Sequence, residues 1–399
     1  MDVDMEIPWY GLESGTKVYI TGLARTAEDD EGQGSRPAIL WRNNEGRARV
    51  FAVNGDLMED ETGLGLLEGM IAESSSYLLY PVVNAQNLTV ADYPSFAPEN
   101  TEELQHIYES SHKLLLQNTI WQSLIAISER SGFKMTCFLT TQLRDAEGAP
   151  RTEDLEYYMR QFAQGQGEAG RCADGGGVDS PVSQWERDSA FFREADSSYI
   201  HTAAYTGKDA AGILSIKESG DAQDIRTVVN NGGEPLLSFI TEDSTCQSIT
   251  HHADSYGFRE DLKNRSIQTA LAYTNILLDL RRVTWPEGPQ DHWENYSREA
   301  FGNIETWWKP YSRFEKTTAT ESDSSLRRFF AIDYEDWREG DVITLKLSNR
   351  EGTVSFLLRT HDQEVGSVSG GRVIRLEKDI WLLSIEEDTV RIELRGGLS

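Results

Sequence analysis

Three apolar runs between residues 50 and 140 decide the fold that we predict for this chain: VFAVNGD (50–56), YLLYPVV (77–83) and KMTCFLT (134–140). Two segments between them, 61–72 and 102–131, carry apolar residues at helical spacing. This β-α-β-α-β order predicts a mostly parallel sheet with helices packed outside it. We therefore expect an open α/β sheet or an irregular (β/α) barrel.

The same alternation continues to about residue 282. We predict further strands at 198–205, 225–229, 236–240 and 247–251, followed by a long helix at 261–282. Taken with the first three runs, these segments extend the parallel sheet through the middle of the chain.

The pattern changes from about residue 326 onward. Six short alternating runs, the first of them FFAIDY (329–334), are separated by Gly-containing turns, and this predicts an antiparallel sandwich or barrel with its own core. The residues predicted to be mostly buried in that core are Phe329, Ile343, Leu345, Phe356, Leu358, Ile374, Leu376, Leu382, Ile385 and Ile392.

Composition narrows the choice of partners. The chain has 399 residues, three cysteines and a formal net charge of −28. Such a charge repels nucleic acid and anionic membranes but suits cations and cationic polymers. The odd cysteine number argues against a disulfide scaffold. Residues 1–9 have no basic and apolar regions of the kind that make a signal peptide.

Two groups of polar residues are the main candidates for chemistry. Asp56 directly follows the apolar run VFAV, and His251 and His252 with Asp254 follow a predicted strand. Catalytic groups and metal ligands lie at such strand ends in α/β proteins. Adjacent histidines on a strand point to opposite faces, so one of the two would enter a given site. The alternatives are a helix-capping aspartate and a polar strand end.

Additional candidates come from isolated carboxylates and from an aromatic segment. Glu168 and the pair Glu242 and Asp243 could supply carboxylates for glycoside chemistry. The aromatic residues of 285–311 could stack on sugar rings or, alternatively, pack in an interdomain core. The candidates for stacking are Trp293, Trp307 and Trp308.

Several of these segments resemble the polysaccharide deacetylase (NodB-like) family. They are VFAVNGD, GFKMTCFLT (132–140) and GQGEAG (165–170). The resemblance implies an irregular (β/α) barrel and a divalent metal ion, zinc or similar, that activates water for attack on an N-acetyl group. Two features depart from that family: its aspartate pair is reduced to Asn54 and Asp56, and RCADGGGVDS (171–180) contains no His-x-x-x-His motif.

Another resemblance covers nearly the whole chain. VNGDLMEDETGLGLL (53–67), YPVVNAQNL (80–88) and residues 261–286 are similar to a bacterial family known as domain of unknown function 2194, which accompanies exopolysaccharide genes and tends to be extracytoplasmic. AILWRNNEGRARVF (38–51) resembles the last hairpin of an amidotransferase-like domain, so the chain could begin inside a larger protein.

These observations lead to one principal hypothesis and two alternatives. We predict a hairpin segment over 1–48, a deacetylase-like (β/α) barrel over 49–315 and an all-β module over 316–399. The principal hypothesis is a metal-dependent de-N-acetylase of a bacterial exopolysaccharide, acting outside the cytoplasm. Its metal ligands would be Asp56, His251 and His252, with Glu168 or Asp254 as base or orienting group. The alternatives are a non-catalytic glycan-binding protein and a glycoside hydrolase using paired carboxylates.

Overall fold

A computed structural model describes most of the chain. The described residues are 7–22, 36–165, 167–173, 180–195, 198–207, 217, 222–231, 245–248, 251–311 and 313–396. Within these ranges, no helix combines the length and the apolar character needed to cross a membrane.

Twenty strands form four sheets in the described part of the chain. Numbered along the chain, they are β1 (Lys17–Thr21), β2 (Ala38–Glu45), β3 (Ala48–Val53), β4 (Leu78–Val82), β5 (Ala85–Ala91), β6 (Met135–Leu139), β7 (Glu168–Cys172), β8 (Ala203–Thr206), β9 (Thr227–Asn230), β10 (Thr245–Ser248), β11 (His251–His252), β12 (Tyr273–Asp279), β13 (Lys316–Thr317), β14 (Asp333–Glu339), β15 (Val342–Ser348), β16 (Val354–Arg359), β17 (Glu364–Ser369), β18 (Gly371–Arg375), β19 (Ile380–Ile385) and β20 (Thr389–Arg395).

The main helices surround the largest sheet. They are α1 (Thr62–Ser74), α2 (Thr101–Tyr108), α3 (Trp121–Ser131), α4 (Thr152–Ala163), α5 (Pro181–Glu194), α6 (Phe258–Leu271), α7 (Arg281–Thr284), α8 (Trp293–Asn303) and α9 (Ala319–Ala331). A short helix, His112–Leu114, and a π-helical turn, Leu115–Ile120, lead into α3, and the π-helical turn Ile304–Trp308 follows α8.

The largest sheet is parallel and curls back on itself. Its strands follow the order β10-β9-β8-β7-β6-β5-β12-β11, with β13 paired to the start of β5. The two ends of this path, Ser248 of β10 and His251 of β11, are three residues apart in the chain, a distance of at most about 11 Å. The two edges of the sheet must therefore lie close together, which gives a curled, barrel-like sheet of the kind expected from the alternating pattern.

Small and aromatic side chains fill the inside of the curled sheet. They come from several strands and from the first residue of α9: Ala91, Phe138, Cys172, Ala203, Tyr205, Val229, Leu277 and Ala319. The start of α9 closes the N-terminal end of the sheet, where the Ala319 backbone N–H donates to Thr136 Oγ1 at 2.9 Å. Polar groups gather at the other end of the sheet, where the parallel strands have their carboxyl ends.

Two of the three runs first used to predict the parallel sheet belong to other sheets. β3, which contains VFAV, pairs with β2 in an antiparallel sheet with β1, and the expectation of a parallel strand there was wrong. β4, within YLLYPVV, pairs antiparallel with β16 of the C-terminal region. The strand that occupies the middle of the parallel sheet is instead β5, whose seven residues are all buried.

A second correction concerns the helix predicted at 261–282. α6 ends at Leu271, because Ala272 adopts a left-handed conformation with φ of 49°, and β12 follows at once. Apolar residues of β12 are buried on both faces, so their continuous run has the same appearance as a buried helix. The predicted strand at 236–240 lies outside the described residues.

The C-terminal region is an antiparallel sandwich, as expected, with an additional strand from upstream. Its two four-stranded sheets are β14-β15-β20-β17 and β18-β19-β16-β4, and both supply residues to one apolar core. Most residues predicted for that core are buried, but Ile374 is exposed and Phe329 and Leu376 are partly buried. FFAIDY is not a strand throughout, because α9 extends to Ala331.

Candidate functional site

Polar side chains converge at the carboxyl-terminal edge of the curled sheet, which we call the rim site. Its members are Asp92, Cys172, Asn231, His252, Asp279 and Arg281, each at or just after the end of a parallel strand. Parallel strands in a curled sheet bring their carboxyl ends to one edge, where barrel enzymes hold their reacting groups. The rim site is therefore the best candidate for chemistry in this chain.

Asp92 is the most constrained residue of the rim site. It follows β5 with φ of 57°, a left-handed conformation that is uncommon outside glycine and often found at functional positions. Cys172 Sγ donates to Asp92 Oδ1 at 2.9 Å, and Arg281 Nη2 lies 3.0 Å from Asp92 Oδ2. Asp92 is therefore a buried carboxylate held in an ion pair with Arg281.

Asp279 provides a second carboxylate on the neighbouring strand. It pairs in register with Ala91, the residue before Asp92, and its Oδ1 accepts the Arg281 backbone N–H at 3.1 Å. Burial raises the pKa of the Asp279 carboxyl, and the positive charge of Arg281 and the imidazole of His252 oppose that shift only in part. Two carboxyl groups with different surroundings therefore lie at the ends of adjacent strands, and burial favours the protonated form of Asp279.

His252 completes the rim site from the other side of the sheet. The Asn231 side-chain amide lies 3.1 Å from His252 Nε2 and can donate to it, which leaves Nδ1 as the protonated nitrogen. Asn231 follows β9 and His252 ends β11, so this hydrogen bond joins two strands across the curled sheet. An imidazole held in this way is positioned to take part in proton transfer at the rim.

His251 points away from the rim, as expected for adjacent histidines on a strand. Its ring packs 5.6 Å from Tyr256 and 5.9 Å from Trp308, measured between ring centroids. Burial lowers the pKa of His251 to about 3, so the ring is neutral in ordinary buffers. Of the two histidines, His252 is the one that faces the rim site.

Asp254 is engaged in an ion-pair cluster. Arg282 contacts both Asp254 and Asp291, with its Nη2 2.6 Å from Asp291 Oδ1. Both carboxylates are almost fully buried beside the guanidinium. This arrangement favours a structural role for Asp254 over the orienting role predicted for it.

The predicted metal ligands are not gathered by the fold. Asp56 follows β3, which belongs to the three-stranded antiparallel sheet, and His251 faces the aromatic core rather than the rim. Among the residues that the structure describes, no three His, Cys, Asp or Glu side chains form a group able to hold a metal ion. The set of Asp56, His251 and His252 therefore does not fit a shared ion.

Glu168 lies at the opposite end of the sheet from the rim. It begins β7, and its carboxylate accepts hydrogen bonds from Thr136 Oγ1 at 3.0 Å and from the Thr320 backbone N–H at 3.2 Å. It also contacts the hydroxyls of Thr202 and Thr320. These bonds join β7 to the start of α9. Glu168 therefore has a structural role at the N-terminal end of the sheet, whereas the sequence had predicted a catalytic role for it.

The aromatic segment packs in the core. Trp293 and Trp308 are buried in the main apolar cluster, and Trp307 is partly buried against Tyr256. The two buried indoles have no face available to a sugar ring. Glu242 and Asp243, the other predicted substrate-binding residues, lie outside the described residues.

Sequence reasoning missed the residues that do converge. Asp92 and Asp279 each follow a run of apolar residues, LTVA and ILL, that ends in an aspartate. Such a run followed by a carboxylate is the same signal that drew attention to Asp56. The helical pattern of 261–282 masks the run before Asp279, and we predict no strand over 85–91 from the sequence.

Comparison with known proteins finds a family model that matches part of the chain. Residues 14–169 match the model of a bacterial family described as uncharacterised protein conserved in bacteria (DUF2194), the family indicated by the sequence resemblance. A search of curated proteins gave no significant match.

Similar solved structures are distant. One is a candidate glycoside hydrolase/deacetylase from Parabacteroides distasonis, with 10% identity, a TM-score of 0.35, and coverage of 70% of this chain and 82% of that chain. Another is an endo-β1,6-glucanase, with 12% identity, a TM-score of 0.32, and coverage of 77% and 82%. A debranching enzyme from Nostoc punctiforme has 9% identity, a TM-score of 0.29, and coverage of 79% and 99%. Similarity at this level does not assign an activity.

Proposed function

We propose that this chain hydrolyses a glycan at the rim site, with Asp279 as proton donor and Asp92 as the charged carboxylate. The observation that carries the proposal is the contrast between the two acids. Asp92 is held beside the Arg281 guanidinium, whereas burial raises the pKa of Asp279. Two carboxyl groups whose surroundings favour opposite protonation states form the usual acid–base pair of glycoside hydrolysis.

The proposed reaction needs only these two side chains and water. Asp279 gives its proton to the glycosidic oxygen as the bond to the anomeric carbon breaks. Water adds its hydroxyl to that carbon, and the remaining proton passes to Asp92. Arg281 contacts both acids, through its guanidinium to Asp92 and its backbone N–H to Asp279, and so fixes their relative position.

Hydrolysis of an N-acetyl group is the second candidate, and His252 is the observation that favours it. The imidazole, held by Asn231, would take a proton from the attacking water and pass it to the leaving amine as the amide C–N bond breaks, while the water's hydroxyl stays on the acetyl carbon. The resemblance to polysaccharide deacetylases implies a metal ion for this reaction. Since the predicted ligands do not come together, we derive no step through a metal.

The surface charge supports a neutral or cationic glycan as substrate. With a net charge of −28, the chain repels acidic polymers and attracts amino sugars. A bacterial exopolysaccharide, met outside the cytoplasm, is the substrate class that the family resemblance implies, and we extend the proposal to it.

The experiment that tests the proposal measures two products in parallel. Purified protein is incubated with β1,6-glucan, chitin oligosaccharides and partly acetylated chitosan, and reducing ends and acetate are both quantified. New reducing ends that disappear in Asp92→Asn and Asp279→Asn support glycoside hydrolysis. Acetate release that depends on His252 supports the second candidate, and a chelator arm shows whether a metal is required.

A matched control uses an exposed carboxylate. Glu305→Gln removes a partly exposed acid paired with Arg130 and should leave activity unchanged. If wild-type protein releases neither product but binds a glycan, the chain is a non-catalytic binding protein and the proposed reaction is wrong.

A further inference from the structure

A cavity lies away from the rim site, between the curled sheet and the sandwich. It has a volume of about 280 Å³ and is lined by α6, by the segment after α8, and by β16 and the β18–β19 turn. We call it the junction pocket. The residues of α6 that line it precede the N-terminal end of β12, so the pocket is at the end of the sheet opposite the rim. Its volume is close to that of a small-molecule site.

Two aromatic residues, Tyr311 and Phe314, line one side of the junction pocket. The rings of Tyr311 and Phe314 are parallel to within 1°, with centroids 6.4 Å apart. Tyr311 is only partly buried, and the Arg265 guanidinium lies 5.8 Å from its ring centroid. Phe314 is buried, so the partly exposed ring of Tyr311 is the aromatic surface offered to the apolar C–H face of a pyranose ring.

Charges around the junction pocket are balanced. Arg265 pairs with Asp261 at 2.8 Å, and Arg359 binds both oxygens of Glu68 at 2.6 and 3.0 Å. The remaining charged groups of the lining are one guanidinium, Arg313, and one carboxylate, Glu377. A neutral ligand with donors and acceptors fits this lining better than an ion.

The buried side-chain amide of Gln268 adds a polar group to the lining of the junction pocket. Gln268 is 2% exposed and lines the pocket, and its Nε2 donates to Thr274 Oγ1 at 2.9 Å. Its Oε1 has no hydrogen-bond partner within the part of the chain described. This buried amide shows that the pocket lining includes polar groups as well as apolar ones.

We infer that the junction pocket binds one or two neutral sugar residues of a glycan, stacked on Tyr311, while another part of the same glycan reaches the rim site. The inference rests on the proposed function for its ligand class, because both sites would hold one polymer. Binding at two separate points raises the effective affinity for long chains but not for short ones.

The test compares binding with the hydrolytic step removed. Affinity for β1,6-glucan, chitin oligosaccharides and chitosan is measured by calorimetry in the Asp279→Asn background. Adding Tyr311→Ala should weaken binding of the polymer at least about fivefold, the loss expected for one aromatic contact. Tyr311→Phe, which keeps the ring, should bind as the background does. Thr269→Trp, which fills the pocket, gives the same test if Tyr311→Ala does not fold.

Outcomes for the two sites can be told apart. Unchanged polymer affinity in Tyr311→Ala and Thr269→Trp, or no glycan binding in the background protein, overturns the junction-pocket inference even if hydrolysis is observed. Conversely, loss of binding in these variants with no product from wild-type protein supports the pocket and contradicts the proposed reaction.

Discussion

At the scale of single residues, Asp279 links activity to pH. Because burial raises its pKa, the protonated form needed for proton donation persists to higher pH than in an exposed aspartate. We expect the alkaline limb of the kcat/KM profile to report Asp279. In Asp279→Asn that limb should disappear and kcat should fall by about 10²–10⁴-fold, with smaller losses for substrates that carry activated leaving groups. An unchanged alkaline limb would assign the proton donor to another group.

The raised pKa of Asp279 also predicts how the stability of the folded protein depends on pH. The unfolded chain releases the Asp279 proton at the ordinary carboxyl pKa, whereas the folded protein holds it to higher pH. Stability is therefore lost as pH rises through that interval. Asp279→Asn should raise Tm at neutral pH relative to wild type, and the gain should vanish at a pH below the ordinary carboxyl pKa. Calorimetry at both pH values checks this, and equal Tm differences at the two would contradict it.

Arg282 carries a structural prediction at the same scale. It forms ion pairs with both Asp254 and Asp291, whose side chains are nearly buried. Arg282→Ala should lower the free energy of unfolding by about 3–5 kcal/mol, because it leaves buried charges unpaired. Arg372→Ala, which breaks the exposed pair with Glu386, should cost less than about 1 kcal/mol. Denaturant titration of both variants measures the difference.

At the scale of elements, the attachment of α9 to β7 depends on the carboxylate of Glu168. Glu168 accepts from groups on both β6 and α9, so Glu168→Gln should reduce stability by about 1–3 kcal/mol while kcat stays near the wild-type value. Activity and thermal unfolding are measured on the same sample. Loss of activity with unchanged stability would restore the catalytic role predicted for Glu168 from sequence.

The π-helical turn after α8 provides a second test at this scale. Trp308 is fully buried against Tyr256, with ring centroids 4.3 Å apart, whereas Trp307 is partly buried. Trp308→Ala should cost about 3–5 kcal/mol of stability, and Trp307→Ala clearly less. If Trp308→Ala instead kept its stability and lost glycan affinity, the sugar-stacking interpretation of this segment would hold after all.

At the scale of the whole molecule, β4 ties the sandwich to the rest of the chain. Leu79 lies in the sandwich core, and Arg359 of β16 is ion-paired to Glu68 of α1. A fragment covering 326–397 would lack β4 and expose its apolar core along β16, so we expect it to aggregate or remain unfolded. A fragment that folds cooperatively, by circular dichroism and heat denaturation, would show that the sandwich needs no upstream strand.

Sequence reasoning succeeded where a local pattern carried the information. Strand–helix alternation indicated the α/β class, the alternating runs from about residue 326 indicated the sandwich, and the side-chain geometry of a strand placed His251 and His252 on opposite faces. Each conclusion depends on neighbours within a few residues. The family resemblance was also correct for residues 14–169.

Tertiary structure alone decided which strands pair and which polar residues meet. VFAV and YLLYP have the apolar composition of parallel strands, but hydrogen-bond partners far along the chain place them in other sheets. The apolar run ILLD has the pattern of a buried helix. In the structure it is a strand, buried on both faces, that ends in Asp279. Asp92 and Asp279 are 187 residues apart in the chain, and both contact Arg281 because β5 and β12 are neighbours. Periodicity records which side of an element is apolar, whereas strand pairing depends on contacts between distant segments, and these a local pattern does not contain.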